Sequence, residues 1–477
     1  MKWRDGGIGA LVVALVISVV AMEVQASPFD VYGAGARSTA MGGAQVASGQ
    51  NAMSTYDNVA GLAGAPVEFR AGIFATWADT PIKLYDRPDG YDIPDLGTRT
   101  PTLPSADTRR GRSDTESIEP LYGIQLGMST DFGGTDTTGG VMVMLPTNEL
   151  MQLRTHFGDE RERIYSNQLH HELIGSRAHR PVIEFGAARQ LTDRIAFGIG
   201  GTYLPGAVVG TEAYVRDPAD QSDVDINADV ETRNNWGLLT GVMVDINDRW
   251  SAGLAYRGSV EFGIQGANVI QVRGIDATEE ESTQEIDWLP LSTPSSVRAG
   301  VAWEMGDVEL NLDGRYTFWS NYRDSHNENP HFDDVLEGRL GAEWVYSADT
   351  LLRAGLGAVP SPVPEQTGRT NYVDNTRLMA SVGGAHGLDV WDREMEVSWY
   401  IQAQHLVERQ THKRAQSSYP DCEPGVRALC DEVPDDTSDP TTGEPYEEAQ
   451  GLKTGNPGFP GFSSGGWLGM VGIELRY

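Results

Sequence analysis

The histidines of the chain include a cluster in one polar stretch, formed by His170, His171 and His179 together with Glu172. A zinc-binding hydrolase helix needs the pattern His-Glu-x-x-His, but the residue three places after Glu172 is a glycine. The sequence has no phosphate-binding P-loop, and it places no Ser-His-acid set for nucleophilic catalysis. We therefore expect plain loop histidines in a protein that is not an enzyme and has no cofactor or metal.

The other reactive side chains are the two cysteines, Cys422 and Cys430, which lie close together in a long polar stretch near the C-terminus. Two cysteines are too few to build a small disulfide-stapled module. In an oxidising compartment, a local disulfide between them is the expected state.

The charge balance excludes one class of partner. Lys and Arg total 36 against 68 Asp and Glu, a formal net charge of −32. Binding to nucleic acid needs a basic face, so we expect no nucleic-acid partner. The length of 477 residues fits two or three soluble domains or one large closed β-structure.

Residues 1–26 have the three parts of a secretory signal peptide. Lys2 and Arg4 begin the chain, an uncharged apolar run follows from Ile8 to Met22, and small residues precede Ser27. The apolar run is shorter than the roughly 20 residues of a membrane-spanning helix. The sequence therefore predicts export and removal of residues 1–26.

The body of the chain alternates apolar with polar or small residues at the strand period of two, for example from Val67 to Ile73 and from Ile195 to Tyr203. Short and long connections alternate between these segments, as they do in outer-membrane barrels. The short turns are 133–138, 192–194, 247–249, 306–307, 348–349 and 388–392, and the long polar stretches are about 78–119, 151–179, 211–231, 265–288, 321–332, 360–374 and 409–464. These connections predict an all-β fold, a transmembrane antiparallel β-barrel of about 14 strands spanning residues 67–477.

A closed sheet satisfies every backbone hydrogen bond within lipid, which explains why such a chain needs no apolar helix. Tryptophans near strand ends are typical of the aromatic girdles of such barrels. They are Trp77, Trp236, Trp250, Trp288, Trp319, Trp344, Trp391 and Trp467. We expect a multi-pass barrel in the cell outer membrane with its long loops extracellular. Its partners would be outer-membrane lipid, lipopolysaccharide and the barrel-assembly machinery.

Residues 27–66 precede the barrel and are rich in Gly, Ala and Ser, without a period of two. They could form a periplasmic tail or fold into the lumen. Within them, residues 33–44 read GAGARSTAMGGA and residues 56–63 read YDNVAGLA. Further along, the chain contains PSSVRAGV from 294, LDGRYTFWSNY from 312 and LRAGLGAVPSPVPEQ from 352. Together and in this order, these motifs resemble the FadL family of outer-membrane transporters of long-chain fatty acids and other hydrophobic compounds.

The resemblance implies a fourteen-stranded barrel whose lumen is plugged by an N-terminal hatch, here residues 27–66. It also implies passive transport: capture at outer loops, a lumenal apolar pocket, hatch movement and lateral exit through the barrel wall. Hatch positions that match or flank the motifs are Gly33, Gly35, Arg37, Gly42, Gly43 and Asn58. The glycines would let the hatch pack closely and shift, or they are plain turn glycines. The family's Asn-Pro-Ala is Asn-Val-Ala here, but Asn58 can still form its own side-chain turn.

The resemblance further implies a gap in the wall at an inward kink of the third strand. That strand is predicted from Gly139 to Leu150, with Pro146 inside it. Proline cannot donate a ladder hydrogen bond, so it favours a local break, although it could also mark a strand end.

Two sets of residues are candidates for substrate binding. Apolar residues in polar loops favour capture, unless the loops simply pack on themselves. They are Val208, Val209, Val269, Ile270, Trp288 and Leu289. A fatty-acid carboxylate would need a basic lumenal partner, and Arg315, Arg353 and Arg377 are positioned for this, unless they balance lumenal acids.

Three functions compete at this stage. The leading hypothesis is transport of hydrophobic molecules, whether fatty acids, alkanes or aromatic hydrocarbons. A second is a non-transporting barrel that acts as an adhesin or structural protein through its long loops, and a third is a hydrophilic porin. The hatch-like segment favours transport, because a porin would lack a hatch and an adhesin would not depend on one.

Overall fold

The computed structural model describes residues 28–84, 112–116, 120–133, 136–148, 181–204, 208–216, 223–232, 235–273, 279–323, 329–365, 372–390, 393–412 and 461–477. The predicted signal peptide, the histidine cluster and both cysteines lie outside these ranges. Among the described residues, no helix is long and apolar enough to cross a membrane.

Fourteen antiparallel strands form one closed sheet, as the alternation predicted. They are β1 Glu68–Leu84, β3 Tyr122–Asp131, β4 Thr137–Pro146, β5 Val182–Thr192, β6 Ile195–Leu204, β9 Asn235–Asn247, β10 Trp250–Arg257, β13 Ser296–Met305, β14 Val308–Thr317, β15 Val335–Ser347, β16 Thr350–Val359, β17 Arg377–Val390, β18 Arg393–His412 and β19 Gly461–Arg476. Each pairs with its neighbour in the sheet, and β19 pairs with β1 to close the barrel. All six predicted short turns connect strands at one end, the short-turn end. The opposite end is called the long-loop end.

The long connections contain strands that the sequence did not reveal. A short strand, β2 Arg112–Glu116, pairs with the far end of β1. Two hairpins, β7 Val208–Arg216 with β8 Asp223–Thr232 and β11 Val260–Arg273 with β12 Glu279–Thr293, form a separate four-stranded sheet. The long polar stretches predicted at 211–231 and 265–288 lie in connections between barrel strands, and they include these hairpins. Part of this sequence also alternates with period two, as in β8, but the many charged residues made the alternation hard to recognise.

The outward face of the barrel is apolar. In β19, Val471, Ile473 and Leu475 are exposed, while Met470 and Glu474, at alternate positions, are buried inside the barrel. This alternation presents aliphatic side chains outward, as a barrel in lipid requires.

Aromatic side chains mark both edges of this apolar belt. At the short-turn end, Trp250 of β10 stacks on Trp303 of β13, with ring centroids 5.2 Å apart. At the long-loop end, Trp77 and Trp467 are exposed. Trp319 is not a girdle residue as predicted, because the chain turns into a 3-10 helix after β14 and buries its ring.

The buried ring of Trp319 belongs to an aromatic cluster in the connections at the long-loop end. Its partners include Tyr322, Phe332 and Tyr372. Phe332 stacks on Tyr322 at 5.1 Å and meets Tyr372 edge-on at 4.8 Å, so these connections pack on one another.

The N-terminal segment, residues 28–66, precedes the barrel and has no strand. It contains α1 Pro28–Tyr32, α2 Gly35–Ala40, α3 Ser54–Asp57 and a 3-10 helix, Val59–Gly64. Helices this short are marginal on their own, so their stability must come from packing. Nearly all residues from Asp30 to Leu62 are buried.

Candidate functional site

The N-terminal segment is hydrogen-bonded to strands on opposite sides of the closed sheet. On one side, the N–H of Ala36 donates to the carboxylate of Glu474 in β19 over 3.2 Å. On the other side, the Asn58 side chain donates to the carbonyl of Val242 in β9 over 3.1 Å. Strands β19 and β9 lie about half the circumference apart in the sheet order. The segment therefore lies inside the barrel and spans the lumen from wall to wall.

A belt of glycines lets the segment lie directly against the wall. Ten strands place a glycine where an added Cβ would overlap or touch the N-terminal segment: Gly127, Gly140, Gly186, Gly198, Gly241, Gly253, Gly300, Gly341, Gly355 and Gly383. Several are cross-strand neighbours, such as Gly140 with Gly186 and Gly341 with Gly355. A side chain at these positions would hold the segment away from the wall. The glycines therefore allow the segment to pack closely against the strands.

We expect Gly355→Ala to displace the segment. A Cβ at Gly355 would overlap the backbone of Met41 and Gly42, which is costly to move. Overpacking of this kind costs about 1–3 kcal/mol. The matched control is Gly338→Ala in the adjacent strand β15, where an added Cβ meets nothing within 4 Å. Trypsin cleavage after Arg37 in folded protein should be faster in Gly355→Ala and unchanged in Gly338→Ala. Equal cleavage rates in both variants would show that a side chain at position 355 does not displace the segment.

The four glycines predicted to shape the hatch all have a left-handed backbone. Their φ angles are 102° at Gly33, 79° at Gly35, 66° at Gly42 and 80° at Gly43. At Gly43 a side chain would also collide with the guanidinium of Arg339, whose Nη1 donates to the Gly42 carbonyl over 2.9 Å. Glycine is therefore required here both by conformation and by close packing.

Asn58 forms the side-chain turn expected of it. Its Oδ1 accepts from the N–H of Ala60 over 3.1 Å, which caps the 3-10 helix. Its Nδ2 donates to the carbonyl of Val46 over 2.8 Å. The turn thus forms without the proline of the family pattern.

Partly or fully buried ion pairs join the segment to the β13–β15 side of the wall. Arg37 donates to Glu309 over 2.6 Å and to Glu343 over 3.2 Å. Asp57 accepts from Arg298 of β13 over 2.8 Å. Buried charges that lose a partner are strongly destabilising, so these pairs hold the segment in one position.

The three arginines proposed as carboxylate ligands are buried in the lumen. Arg315 contacts both oxygens of Glu337, at 2.6 and 2.7 Å. Arg353 donates to Glu343 over 2.6 Å. Arg377 begins β17 and is paired in the ladder with Val359 and Leu406. For Arg315 and Arg353 this geometry favours the alternative, that they balance lumenal acids.

The opposite side of the lumen contains a large apolar cluster, which lies on the same strands as the buried Arg70–Glu474 ion pair. Inward side chains of β18, β19, β1, β4 and β5 form one buried cluster with Val31 and Tyr32 of the segment. The wall contributes Phe74, Ile82, Met142, Met144, Val182, Leu406, Phe462, Leu468 and Met470. Methionines are adaptable and suit a site that must fit varied apolar shapes. Sequence reasoning missed these residues, because inward apolar and outward apolar positions look alike in a strand.

The structure places the backbone of the candidate capture residues in three strands of one sheet. Val208 and Val209 lie in β7, Val269 and Ile270 in β11, and Trp288 and Leu289 in β12. All three strands belong to the four-stranded sheet of the long connections. The structure thus places these residues in one sheet, and their role in capture stays a prediction.

Pro146 is the last residue of the third barrel strand rather than an interior one, because β4 ends there and not at Leu150. It pairs with Gly123, and the register of β4 with both neighbours is free of shifts. A terminal proline removes no interior ladder bond, so it causes no break within the described strand.

One catalytic spacing does occur, since residues 461–465 read Gly-Phe-Ser-Ser-Gly. A nucleophilic serine in this pattern needs a sharp turn from a strand into a helix. Here Ser463 lies within β19, paired with Lys83 and Gln410. The pattern therefore has no catalytic geometry. Among the described residues there is also no cluster of His, Cys, Asp or Glu that could hold a metal ion.

Comparisons with known proteins agree with this architecture. No protein-family model matches the chain, and no curated protein matches its sequence. A crystal structure of a Pseudomonas aeruginosa FadL homologue is similar, with a TM-score of 0.54 and 12% identity over 96% of this chain and 99% of that one. The P. putida toluene transporter TodX has a TM-score of 0.53 and 14% identity over 92% and 97%. The TodX deltaS2S3 mutant, described as a monoaromatic hydrocarbon channel, has a TM-score of 0.52 and 13% identity over 92% and 98%. The fold expected from the motifs is thus confirmed, and the chain has the fold of the FadL-type barrels.

Proposed function

We propose that this protein carries hydrophobic molecules across the outer membrane without an energy source. The observation that carries the proposal is the apolar cluster of the lumenal wall, which includes Val31 and Tyr32 of the segment that blocks the lumen. An apolar lumenal surface is unsuited to ions and water-soluble nutrients, and burial of substrate there yields about 0.8 kcal/mol per CH₂. The long loops would face outward, and the segment would act as the hatch.

In this scheme the substrate is captured at the long-loop end and moves to the apolar cluster. The hatch then shifts, and the molecule leaves sideways into the membrane. The chain carries no nucleotide-binding motif, so binding free energy and thermal motion are the driving forces. A lateral exit suits such a molecule, because it avoids water throughout.

The pairing of charged side chains in the lumen affects which class of substrate can bind there. Seven described lumenal arginines are paired with carboxylates: Arg37, Arg70, Arg257, Arg298, Arg315, Arg339 and Arg353. A fatty-acid carboxylate that bound any of these seven arginines would have to displace its carboxylate partner. Uncharged hydrocarbons, aromatic or aliphatic, have no such requirement and are the substrates we favour. The similar fold of a toluene transporter supports this choice.

The competing functions fit less well. A hydrophilic porin needs an open, polar lumen, whereas here the segment spans the lumen from wall to wall. An adhesin or structural barrel needs no buried apolar surface next to a plug. Neither alternative accounts for the contact between the segment and the apolar cluster.

Uptake measurements test the proposal. Cells lacking their own hydrophobic-compound transporters and expressing this protein should take up radiolabelled toluene in a saturable manner, and labelled oleate more slowly. Leu468→Gln places an amide in the apolar cluster. It should reduce toluene uptake about tenfold, since an unpaired buried polar group costs roughly 1–3 kcal/mol. The matched control is Thr317→Gln, on the charged side of the lumen. Absence of toluene and oleate uptake despite an inserted barrel would refute the proposal.

A further inference from the structure

A hydrogen-bond donor and a hydrogen-bond acceptor are buried without partners beside the apolar cluster. Neither the Tyr400 hydroxyl of β18 nor the Oε1 atom of Gln125 in β3 has a hydrogen-bond partner of normal geometry among the described residues. Both side chains are 0% exposed. An unpaired polar group in a protein interior is costly, so two of them at one place call for an explanation.

Glycines on the intervening strands bring the two groups together. The Tyr400 hydroxyl lies over Gly472 of β19, where an added Cβ would overlap it, and the Gln125 amide lies over Gly72 of β1. The two glycines are diagonal neighbours in the β1–β19 ladder. Diagonal positions are about 7–8 Å apart, within reach of long side chains. The Gln125 side chain is accordingly a polar neighbour of the Tyr400 hydroxyl.

An existing bond fixes the orientation of the Gln125 amide. Its Nε2 donates to the carboxylate of Glu474 over 3.2 Å, which leaves Oε1 as the free acceptor. The Tyr400 hydroxyl has a proton to donate. A hydroxyl group satisfies both atoms at once, since it accepts one hydrogen bond and donates another.

The wall next to these groups is apolar. Phe74 is paired with Gly472 in the ladder, and Met470 lies two residues from Gly472 on the same face of β19. Both belong to the apolar cluster, as Tyr400 does. The charged groups at this place, Arg70 and Glu474, are paired with each other over 2.9 Å. An uncharged molecule that carries a hydroxyl therefore suits this place better than a carboxylate does.

The N-terminal segment covers this part of the wall. Gln402, two residues from Tyr400 on the same face of β18, donates to the carbonyls of Tyr32 and Thr39 over 3.0 and 3.1 Å. Positions two apart on a strand are separated by only about 7 Å. A hatch movement that breaks the Gln402 bonds would therefore also uncover Tyr400.

We propose that the Tyr400 hydroxyl and the Gln125 amide bind the hydroxyl group of a substrate whose remaining surface is apolar. The proposal rests on the transport function and narrows its uncharged substrates to phenols and alcohols. The substrate hydroxyl accepts from Tyr400 and donates to Oε1 of Gln125, while the apolar body lies on Phe74 and Met470. A pure hydrocarbon fills the same space but leaves both polar atoms unpaired.

Competition against labelled toluene tests the proposal, because p-cresol is toluene with one added hydroxyl. The measured quantities are the concentrations of unlabelled toluene and of p-cresol that halve the uptake of labelled toluene by cells expressing the protein. The ratio of these concentrations, toluene over p-cresol, should be about tenfold higher in the wild type than in Tyr400→Phe, as expected for one net hydrogen bond. A ratio is used because it cancels the different hydrophobicity of the two compounds.

The matched control is Tyr316→Phe, which removes the same hydroxyl from an exposed side chain on the outward face of β14. Its ratio should equal that of the wild type. Equal ratios in the wild type and Tyr400→Phe, with toluene uptake intact, would overturn the hydroxyl site and leave the transport function standing. If the wild type takes up neither toluene nor p-cresol, the proposed function fails and the hydroxyl site fails with it.

Stability gives a second readout that does not depend on transport. The temperature of the heat-dependent shift in gel mobility should not fall in Tyr400→Phe, because the hydroxyl has no protein partner to lose. A lower temperature would show that the hydroxyl is bonded within the protein, and this would overturn its role as a free donor.

A third compound tests the acceptor. In 4-methylanisole a methyl group replaces the hydroxyl proton of p-cresol, so the compound can accept from Tyr400 but cannot donate to Gln125. Its ratio should change less between the wild type and Tyr400→Phe than the ratio for p-cresol does. An equal change would overturn the assignment of Gln125 as the acceptor.

Discussion

Deletion of residues 27–66 is expected to convert the barrel into an open, ion-conducting pore while leaving the sheet intact. The fourteen-stranded ladder contains no residue of this segment, so closure of the sheet does not depend on its hydrogen bonds. Removal would expose the lumenal charges, including those of Arg298 and Glu337, to water. A lumen of this size, lined by charges and free of its plug, should fill with water as larger porin barrels do.

Single-channel recording in planar bilayers measures this change. The intact protein should show almost no steady current, and the deleted form a stable conductance with little selectivity between small ions. Uptake of toluene by the deleted form should lose saturation. A deleted form that inserts, resists heat as a folded barrel and still conducts nothing would show that other parts of the chain block the lumen.

Loss of one buried ion pair is expected to release the segment. Arg298 donates to Asp57 over 2.8 Å, and its guanidinium lies 4.9 Å from the centre of the Tyr56 ring. Arg298→Ala leaves the Asp57 carboxylate buried without its cation, at a cost of about 3–5 kcal/mol. Since 1.4 kcal/mol is a factor of ten, the population of displaced segment should rise about 100-fold or more.

Limited trypsin digestion gives a direct reading of this population. Arg37 is the one trypsin site between residues 27 and 66, and it is partly buried and paired with Glu309 when the segment is in place. Cleavage there should accelerate in Arg298→Ala and recover substantially in Asp57→Asn/Arg298→Gln, which removes both charges. Arg189→Ala, at an exposed position on β5, serves as the control. A double variant as labile as Arg298→Ala would show that packing, rather than the unpaired charge, holds the segment.

The strand count could be predicted because the barrel repeats one local rule. Period-two alternation and the two lengths of connection depend only on neighbouring residues, and all fourteen strands followed from them. The hairpins β7–β8 and β11–β12 were missed because their strands contain many charged residues. Such charge-rich stretches were assigned to polar loops. The end of β4 was placed too late because a proline was assigned to the strand interior when the ladder ends there.

The site was harder to predict, since it depends on pairs that are distant in sequence. Arg37 and Glu309 are separated by 272 residues, and no local pattern marks them as partners. The glycine belt was invisible for a related reason. A glycine within a strand looks the same whether it faces lipid, a turn or the backbone of another segment. Asn58 and the four hatch glycines were identified from motifs that resemble the FadL family, and the side-chain turn at Asn58 was expected from its residue type.

The position of Glu474 has a consequence for the order of assembly. Its carboxylate accepts from Arg70 of β1, from the N–H of Ala36 and from Gln125 of β3. These partners come from the beginning of the chain, whereas Glu474 is three residues from its end. The hydrogen bonds of the Glu474 side chain are therefore complete only when β1, β3, β19 and the N-terminal segment are all in place. Contacts this distant in sequence form slowly, so we expect the segment to become fixed to the final strand late in folding, after the backbone ladder has closed.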